Sequence, residues 1–330
     1  MSSLMKGDRK LALQKRVDPE LYFQEVVRYY SMAKVQQEEC NLGTIPHTAG
    51  TVKDPLMQHV ELYDVVNIKY AGFKQVLIDM WYGLSEEHPY SHKLHSTRLP
   101  ICERFDGATS VWGTAEWIYV WLIHAVTGSG INYARKPSGY HSTILPRLSG
   151  DTLADLRSCA STLLANPRIP AYTSVGYQFP AFPKKQRHFR RGGDRFIVDY
   201  APRLASELAH WLETSPGLPL PMRAVRDFMV EWNQSEGLRA YRFQYAAAIG
   251  DMANYIPHLV DPHSQFFHGT NAVECVSYTT GGKRSLADLD NAMDRLADAT
   301  GGRLFDLEDI CCDFIRWVEN YVRPGHDYDH

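Results

Sequence analysis

Apolar residues recur every three or four positions along most of the chain, which is the spacing of amphipathic helices. Asp18 and Pro19 predict the start of the first helix, because aspartate is a good N-cap and proline suits the first helical turn. That helix is expected to reach about Glu39. The other predicted helices cover residues 54–67, 71–82, 109–126, 151–165, 200–213, 222–233, 240–254, 285–299 and 307–322, with a short apolar helix after 271.

Strand-like alternation appears only at residues 197–200 and around 171–177, so the chain is predicted to be mainly α. It contains no internal repeat and no convincing linker. We therefore expect one helical unit over residues 1–330, with a division into two lobes, 18–215 and 216–323, as an alternative. The tail 324–330 is expected to fray.

The stretch 238–276 contains the candidate site. Its predicted helix is rich in small residues at 246–250, which allow a ligand or another backbone to approach closely. Beyond that helix, Asp261 precedes a proline, and His263 and His268 follow. An acid and two histidines at a helix–loop–helix junction form a compact acid/base cluster. The structural alternatives are that Asp261 caps a turn and that the histidines are buried hydrogen-bonding groups.

The stretch 170–193 mixes aromatic and basic residues and ends in two glycines. Such a segment can grip phosphates and stack on unpaired bases, although a solvated basic loop has the same composition. Its basic residues are Lys184, Lys185, Arg187, Arg190 and Arg191. Nucleic-acid contact and a plain surface loop both remain open for it.

Two other clusters are interpreted as structural. The tryptophans of the predicted helix 109–126 cover most of its faces, which indicates burial in a core rather than a platform for base stacking. The histidines at 88, 92 and 95 lie in a loop-like segment and are read as surface residues, because a metal site would need a fourth ligand and defined geometry.

Composition and missing motifs narrow the function classes. The chain has 330 residues, a net charge of −3 and six cysteines without a Cys-x-x-Cys pair, a pattern typical of a reducing compartment. It shows no signal-peptide pattern and no apolar run long enough for a membrane span. We expect an intracellular protein, nuclear in a eukaryote and otherwise cytoplasmic, in the host cell if the protein is viral.

Phosphate-loop, dinucleotide-binding, zinc-protease and serine-hydrolase motifs are all absent from the sequence, which argues against a kinase or a dinucleotide enzyme.

A helix, a glycine-containing turn at 234–237, a second helix and the following Asp261 resemble the helix-hairpin-helix DNA glycosylases, whose catalytic aspartate follows the hairpin in a similar way. The sequence departs from that family in two respects. The turn lacks the glycine-rich Gly-x-Gly pattern, and no lysine stands where bifunctional members have one. Simple base excision is therefore a weaker expectation than base modification.

Several short stretches across residues 18–323 are similar to the α-glutamyl/putrescinyl-thymine pyrophosphorylase group of DNA thymine hypermodification, which is related to the helical domain of the hydroxymethyluracil DNA kinases. The matching stretches are Lys53 to Leu56 with Tyr63, Val66 and Asn67; Arg104 and Phe105; Phe243 and Gln244 with Asp251; His268 to Ala272; and Cys312 to Phe314 with Tyr321. The resemblance implies a two-lobed, DNA-glycosylase-like helical bundle with a helix-hairpin-helix-type element.

The resemblance also implies a reaction, in which an amine or amino acid displaces pyrophosphate from a 5-(pyrophosphoryloxymethyl)pyrimidine in DNA. Asp261 or Asp251 is expected to act as the general base, with His263 and His268 in the same acid/base cluster. The expected substrate-binding residues are Gln244, Asn271, Arg239, Arg242, Asp54, Asn67 and the five basic residues of the 184–191 stretch. Asp54, which precedes a proline, is better explained as an N-cap than as a catalytic residue.

The implied partners are DNA carrying the modified pyrimidine and an amine or amino-acid co-substrate. A membrane is not among the implied partners. No cofactor is certain, and Mg²⁺ is compatible with a pyrophosphate leaving group. Two alternatives remain: a glycosylase-like excision enzyme, and a helical module that binds DNA without catalysis.

Overall fold

The computed structural model describes residues 18–42, 77, 80–81, 111–127, 144–166, 192–238 and 245–320. Within these ranges the chain is mainly helical, as predicted. The helices are α1 (Pro19–Leu42), α2 (Thr114–Thr127), α3 (Leu153–Ala165), α4 (Gly192–Arg195), α5 (Ala201–Thr214), α6 (Met222–Ser235), α7 (Ala246–Tyr255), α8 (Thr270–Thr279), α9 (Leu286–Thr300) and α10 (Leu304–Asn320). No helix among them is long and apolar enough to cross a membrane.

Helix ends follow the capping residues that the sequence contains. Asp18 Oδ1 accepts hydrogen bonds from two backbone N–H groups in the first turn of α1. Ser285 caps α9, and Gly301 ends it with a left-handed φ of 71°. The helix predicted over 151–165 begins at Leu153, because Thr152 is its N-cap and forms a capping box with Asp155.

The predicted strand at 197–200 is wrong. Phe196–Tyr200 forms a π-helix that continues directly from α4 into α5. Its first three residues are buried, and a short apolar run does not distinguish a strand from a buried helical turn. The only sheet in the described ranges joins β1 (Leu220–Pro221) and β2 (Val260–Asp261) in a two-residue parallel pair.

The chain divides into two compact units. Among the described residues, the terminal unit contains 18–42 and 265–320, and the central unit contains 77, 80–81, 111–127, 144–166, 192–238 and 245–264. The boundary after Ser264 lies inside the stretch 238–276, so that stretch contributes to both units. The two-lobe interpretation, 18–215 and 216–323, stays a prediction.

Aromatic side chains build the core of the terminal unit, where α8 packs against α10 and α1 packs against α8 and α9. Tyr22 stacks on Tyr278 with ring centroids 4.8 Å apart, and Phe314 meets the rings of Tyr22 and Tyr29 edge-on. On the surface of this unit, Arg295 pairs with Glu20 at 2.9 Å.

In the central unit, α2 is packed between other helices and contacts both α5 and α7. The hydroxyl of Tyr119 donates to the Ile197 carbonyl at 3.0 Å, which joins α2 to the π-helix. Every residue of α7 is buried, so this helix lies in the interior of its unit. Small side chains at 246–250 permit that burial.

Gly150 is a sharp test of local packing in the central unit. Its φ is +136°, and a Cβ added there would lie 2.4 Å from Asp155 Cβ. We expect Gly150→Ala to lower the free energy of unfolding by more than about 3 kcal/mol, since strain and a clash combine. The measurement is urea unfolding followed by circular dichroism.

Gly217→Ala is the matched control, because Gly217 has a φ of +78° but no atom within 4 Å of an added Cβ. Strain alone should cost about 1–2 kcal/mol there. Equal decreases in the free energy of unfolding of the two variants would contradict the clash at Gly150.

Candidate functional site

Asp251 lies at the middle of α7 and is fully buried. Its Oδ2 is 2.9 Å from Nδ1 of His124, which lies on α2 and is 1% exposed. A buried carboxylate is costly unless hydrogen bonds stabilise it, and the imidazole of His124 provides one such bond. Together His124 and Asp251 form an acid/base pair, here called the buried dyad.

Aromatic rings surround the α2–α7 contact next to the buried dyad. Trp121 stacks on Tyr255 with centroids 5.8 Å apart and an interplanar angle of 10°. Trp117 lies 6.0 Å from Trp121, and Trp81 contacts Trp117, Trp121 and Tyr255. Trp117 and Trp121 are buried, as expected for core tryptophans. The interface therefore has a polar end at the dyad and an aromatic end beside it.

Asp261 occupies a turn. Its Oδ1 accepts from the backbone N–H of His263 at 2.9 Å, and its carbonyl accepts from Ser264 Oγ at 2.8 Å. Ser264 Oγ also accepts from the Met222 backbone N–H, which ties the turn to the start of α6. Asp261 is half-buried and His263 is exposed. This turn is the geometry expected of an aspartate before proline, and it leaves the catalytic role of Asp261 a prediction.

His268 and Asn271 lie in the terminal unit, whereas Asp251, Asp261 and His263 lie in the central unit. Nε2 of His268 is 3.4 Å from Asp290 Oδ1 on α9, and only 3% of the histidine side chain is exposed. This contact agrees with the alternative that His268 is a buried hydrogen-bonding group. The acid/base cluster predicted from the sequence is thus divided between two units.

The buried carboxyl group of Glu308, which lies on α10, contacts the N-terminus of α8. Its Oε1 accepts a hydrogen bond from the backbone N–H of Gly269 at 2.9 Å. Gly269 is the N-cap residue of α8, where the helix dipole favours negative charge. Burial nevertheless dominates and raises the pKa of Glu308 from 4.5 to about 8, while the Gly269 hydrogen bond opposes the shift.

Three cysteines lie near Glu308. Asn271 Nδ2 donates to Cys312 Sγ at 3.4 Å, and burial raises the pKa of the Cys312 thiol. A hydrogen bond with Cys275, followed by burial, holds the pKa of Cys311 well above its usual value. The thiols of Cys311 and Cys312 are therefore protonated at neutral pH and are poor nucleophiles. The structure thus brings together the His268–Ala272 and Cys312–Phe314 stretches, which are distant in sequence.

The other predicted site residues lie outside the described residues, so the structure does not bear on them. They are Gln244, Arg239, Arg242, Lys184, Lys185, Arg187, Arg190, Arg191, Asp54 and Asn67. The described ranges contain no group of three or more His, Cys, Asp or Glu side chains that could hold a metal ion.

His124 and Glu308 were not identified from the sequence. His124 is 127 residues from Asp251, and its own helix reads as an apolar core helix. The sequence pattern does not distinguish Glu308 from the other acidic residues of its predicted amphipathic helix. A polar residue in a strongly apolar helix was the available signal for His124.

No protein-family model matches the chain, and no curated protein or solved structure shows significant similarity to it.

Glu308 predicts a pH dependence of stability. Between pH 4.5 and about 8 the unfolded state loses a proton that the folded state retains, so stability falls as pH rises through this window. The decrease is about 1.4 kcal/mol per pH unit at most. Glu308→Gln keeps an acceptor for Gly269 and cannot ionise. We expect this variant to gain stability over the wild type at pH 8, by up to about 5 kcal/mol, and little at pH 4.5.

Chemical unfolding at both pH values measures this difference. Asp298→Asn, which removes an exposed carboxylate from the same unit, is the control and should change stability by less than about 0.5 kcal/mol. A Glu308→Gln effect of equal size at both pH values would rule out the proton-linked explanation.

Proposed function

We propose that the protein is a DNA base-modifying transferase that replaces the pyrophosphate of a 5-(pyrophosphoryloxymethyl)pyrimidine with an amine or amino acid. The observation that carries the proposal is the buried dyad. Asp251 belongs to one of the stretches that resemble the thymine hypermodification group, and it is hydrogen-bonded to an imidazole beside a set of aromatic rings. An acid/base pair next to aromatic surfaces suits proton transfer at a base taken out of the DNA stack.

The proposed reaction forms one bond and breaks one. The amine nitrogen attacks the methylene carbon attached to C5, the C–O bond to pyrophosphate breaks, and pyrophosphate leaves with the electron pair. The nitrogen loses a proton, which Asp251 takes with the hydrogen bond from His124 stabilising its ionised form. The negative charge of the departing pyrophosphate requires cationic groups beside it, and the basic residues of the 184–191 stretch are the candidates.

Asp261 is the second candidate base. Because it lies in a turn, its charge can be removed without removing the hydrogen bond that shapes the turn. Asparagine retains the Oδ1 acceptor for the His263 N–H, so Asp261→Asn removes the charge and keeps the turn. A residue that only shapes a turn would lose no activity on this change.

The proposal implies a DNA-glycosylase-like arrangement with a helix-hairpin-helix-type element. It is supported by the packing of α6 against α7, the two helices on either side of the predicted hairpin. The left-handed φ of 68° at Gly237 turns the chain after α6. Residues 239–244 of the connection lie outside the described residues.

The experiment is single-turnover displacement on a duplex that carries one 5-(pyrophosphoryloxymethyl)uracil, with glutamate or putrescine as the amine. Pyrophosphate release and the mass of the modified nucleoside are measured. We expect Asp251→Asn to lower the rate at least about 100-fold, because a general base contributes that much or more. Asp227→Asn, an exposed carboxylate on α6, is the control and should leave the rate unchanged.

Each outcome separates one function from another. Wild-type protein that produces abasic sites instead of a substituted base is an excision enzyme. Protein that binds DNA and changes neither base nor pyrophosphate is a non-catalytic module. Asp251→Asn with full turnover and an unchanged fold excludes Asp251 as the base, and undiminished turnover of Asp261→Asn excludes Asp261.

The basic stretch supplies a separate prediction about DNA as the partner. Replacing Lys184, Lys185 and Arg187 by alanine should weaken DNA binding and reduce the slope of log K against log salt by about one for each phosphate that the variant no longer neutralises. Lys283→Ala with Arg284→Ala is the control for removal of exposed positive charge in the terminal unit. Equal salt slopes in the triple variant and the wild type would exclude the stretch as a phosphate-binding element.

A further inference from the structure

The one polar atom of Trp121 lies in the protein interior. The side chain is fully buried, and its indole Nε1–H has no hydrogen-bond acceptor among the described residues. A buried donor without an acceptor is destabilising, and native proteins contain few of them. An acceptor that arrives with a ligand is one explanation of such a group, and a buried water is another.

Three other aromatic side chains of the central unit have hydrogen-bond acceptors for their polar atoms. Trp112 Nε1 donates to the Gly150 carbonyl at 2.8 Å, and Tyr245 Oη donates to Asn233 Oδ1 at 2.8 Å. Tyr119 Oη donates to a backbone carbonyl as well. The fold therefore satisfies these tryptophan and tyrosine donors of the unit, and Trp121 is the contrast.

The orphan donor lies next to the buried dyad. Trp121 and His124 are three residues apart on α2, which places them on one face of the helix. Tyr255 and Asp251 are four residues apart on α7 and face them. Across the described part of this interface, flat aromatic surfaces, the Trp121 N–H donor and an acid/base pair thus lie together.

These surroundings select the chemistry of the ligand. At the Trp121 N–H, the apolar, aromatic environment disfavours a charged acceptor such as phosphate, because the charge would lose its hydration. A neutral carbonyl on a flat ring satisfies both features, since the ring stacks and the oxygen accepts. A pyrimidine of the uracil type offers two ring carbonyls beside its C5 position.

We propose that the α2–α7 interface binds the pyrimidine that the enzyme modifies, with Trp121 Nε1–H donating to a ring carbonyl oxygen. This inference rests on the proposed function and adds to it the residue that recognises the base. Binding requires the rings of Trp121 and Tyr255 to move apart, so the base enters with a rearrangement of these side chains.

The test uses a binding ratio rather than turnover. Fluorescence anisotropy gives Kd for an oligonucleotide with a single 5-hydroxymethyluracil and for the same oligonucleotide with an abasic analogue at that position. Trp121 is replaced by 3-benzothienylalanine, which keeps the shape of the indole and removes only the N–H. We expect the preference for the pyrimidine to fall about three- to tenfold in this variant, with binding of the abasic oligonucleotide unchanged.

Trp121→Phe is the second variant, and the ¹⁵N resonance of the Trp121 indole is a measurement on unaltered protein. That resonance should shift when the pyrimidine oligonucleotide is added and stay in place with the abasic one. An unchanged preference in the benzothienyl variant together with an unmoved resonance would overturn the proposal. The Trp121 N–H would then donate its hydrogen bond to a buried water and not to the base.

Trp112→Phe is the matched control, because it removes a donor that already has an acceptor. It should lower stability and leave the binding preference unchanged. The outcomes also separate this inference from the proposed reaction. If the wild type turns over, while the benzothienyl variant keeps its preference and the indole resonance stays in place, the transferase proposal stands and the Trp121 role is excluded. A reduced preference without turnover leaves a pyrimidine-binding protein and removes the transferase.

Discussion

The hydrogen bond between His124 and Asp251 is the constraint on which the central unit depends. Apolar packing between helices has no fixed direction, whereas a hydrogen bond does. Displacing α2 from α7 would break this bond to a buried carboxyl group, which is unfavourable. The bond therefore fixes α2 against α7, and the stacking of Trp121 on Tyr255 one turn away follows from the same alignment.

The sequence explains why α7 accepts this position. Its residues from 246 to 250 are alanines, an isoleucine and a glycine, and the whole helix is buried. Small side chains keep the helix slender, so neighbouring helices approach it closely and the carboxylate of Asp251 reaches His124. The cost in reduced side-chain packing is offset by an interior in which large rings from α2 fill the space.

Much of the helical pattern was predictable, and the physical reason is that it is local. Asp18, Ser285 and Gly301 cap helices through contacts within a few residues, so their roles are visible in the sequence. The buried dyad joins residues 127 positions apart, which no periodicity reveals. The π-helix at Phe196–Tyr200 arises because tertiary packing buries a short apolar run that alternation alone assigned to a strand. Asp251 could be proposed from its motif, whereas its partner could not.

Glu308 gives the terminal unit a property beyond its own stability. With a pKa of about 8 in the folded state, this carboxyl retains its proton at pH 7, whereas in the unfolded chain it is ionised. Folding of the unit thus takes up close to one proton from the solution at neutral pH. The heat measured for this transition consequently includes the ionisation enthalpy of the buffer. Glu308 thereby contributes to the difference between calorimetric enthalpies obtained in phosphate and in Tris.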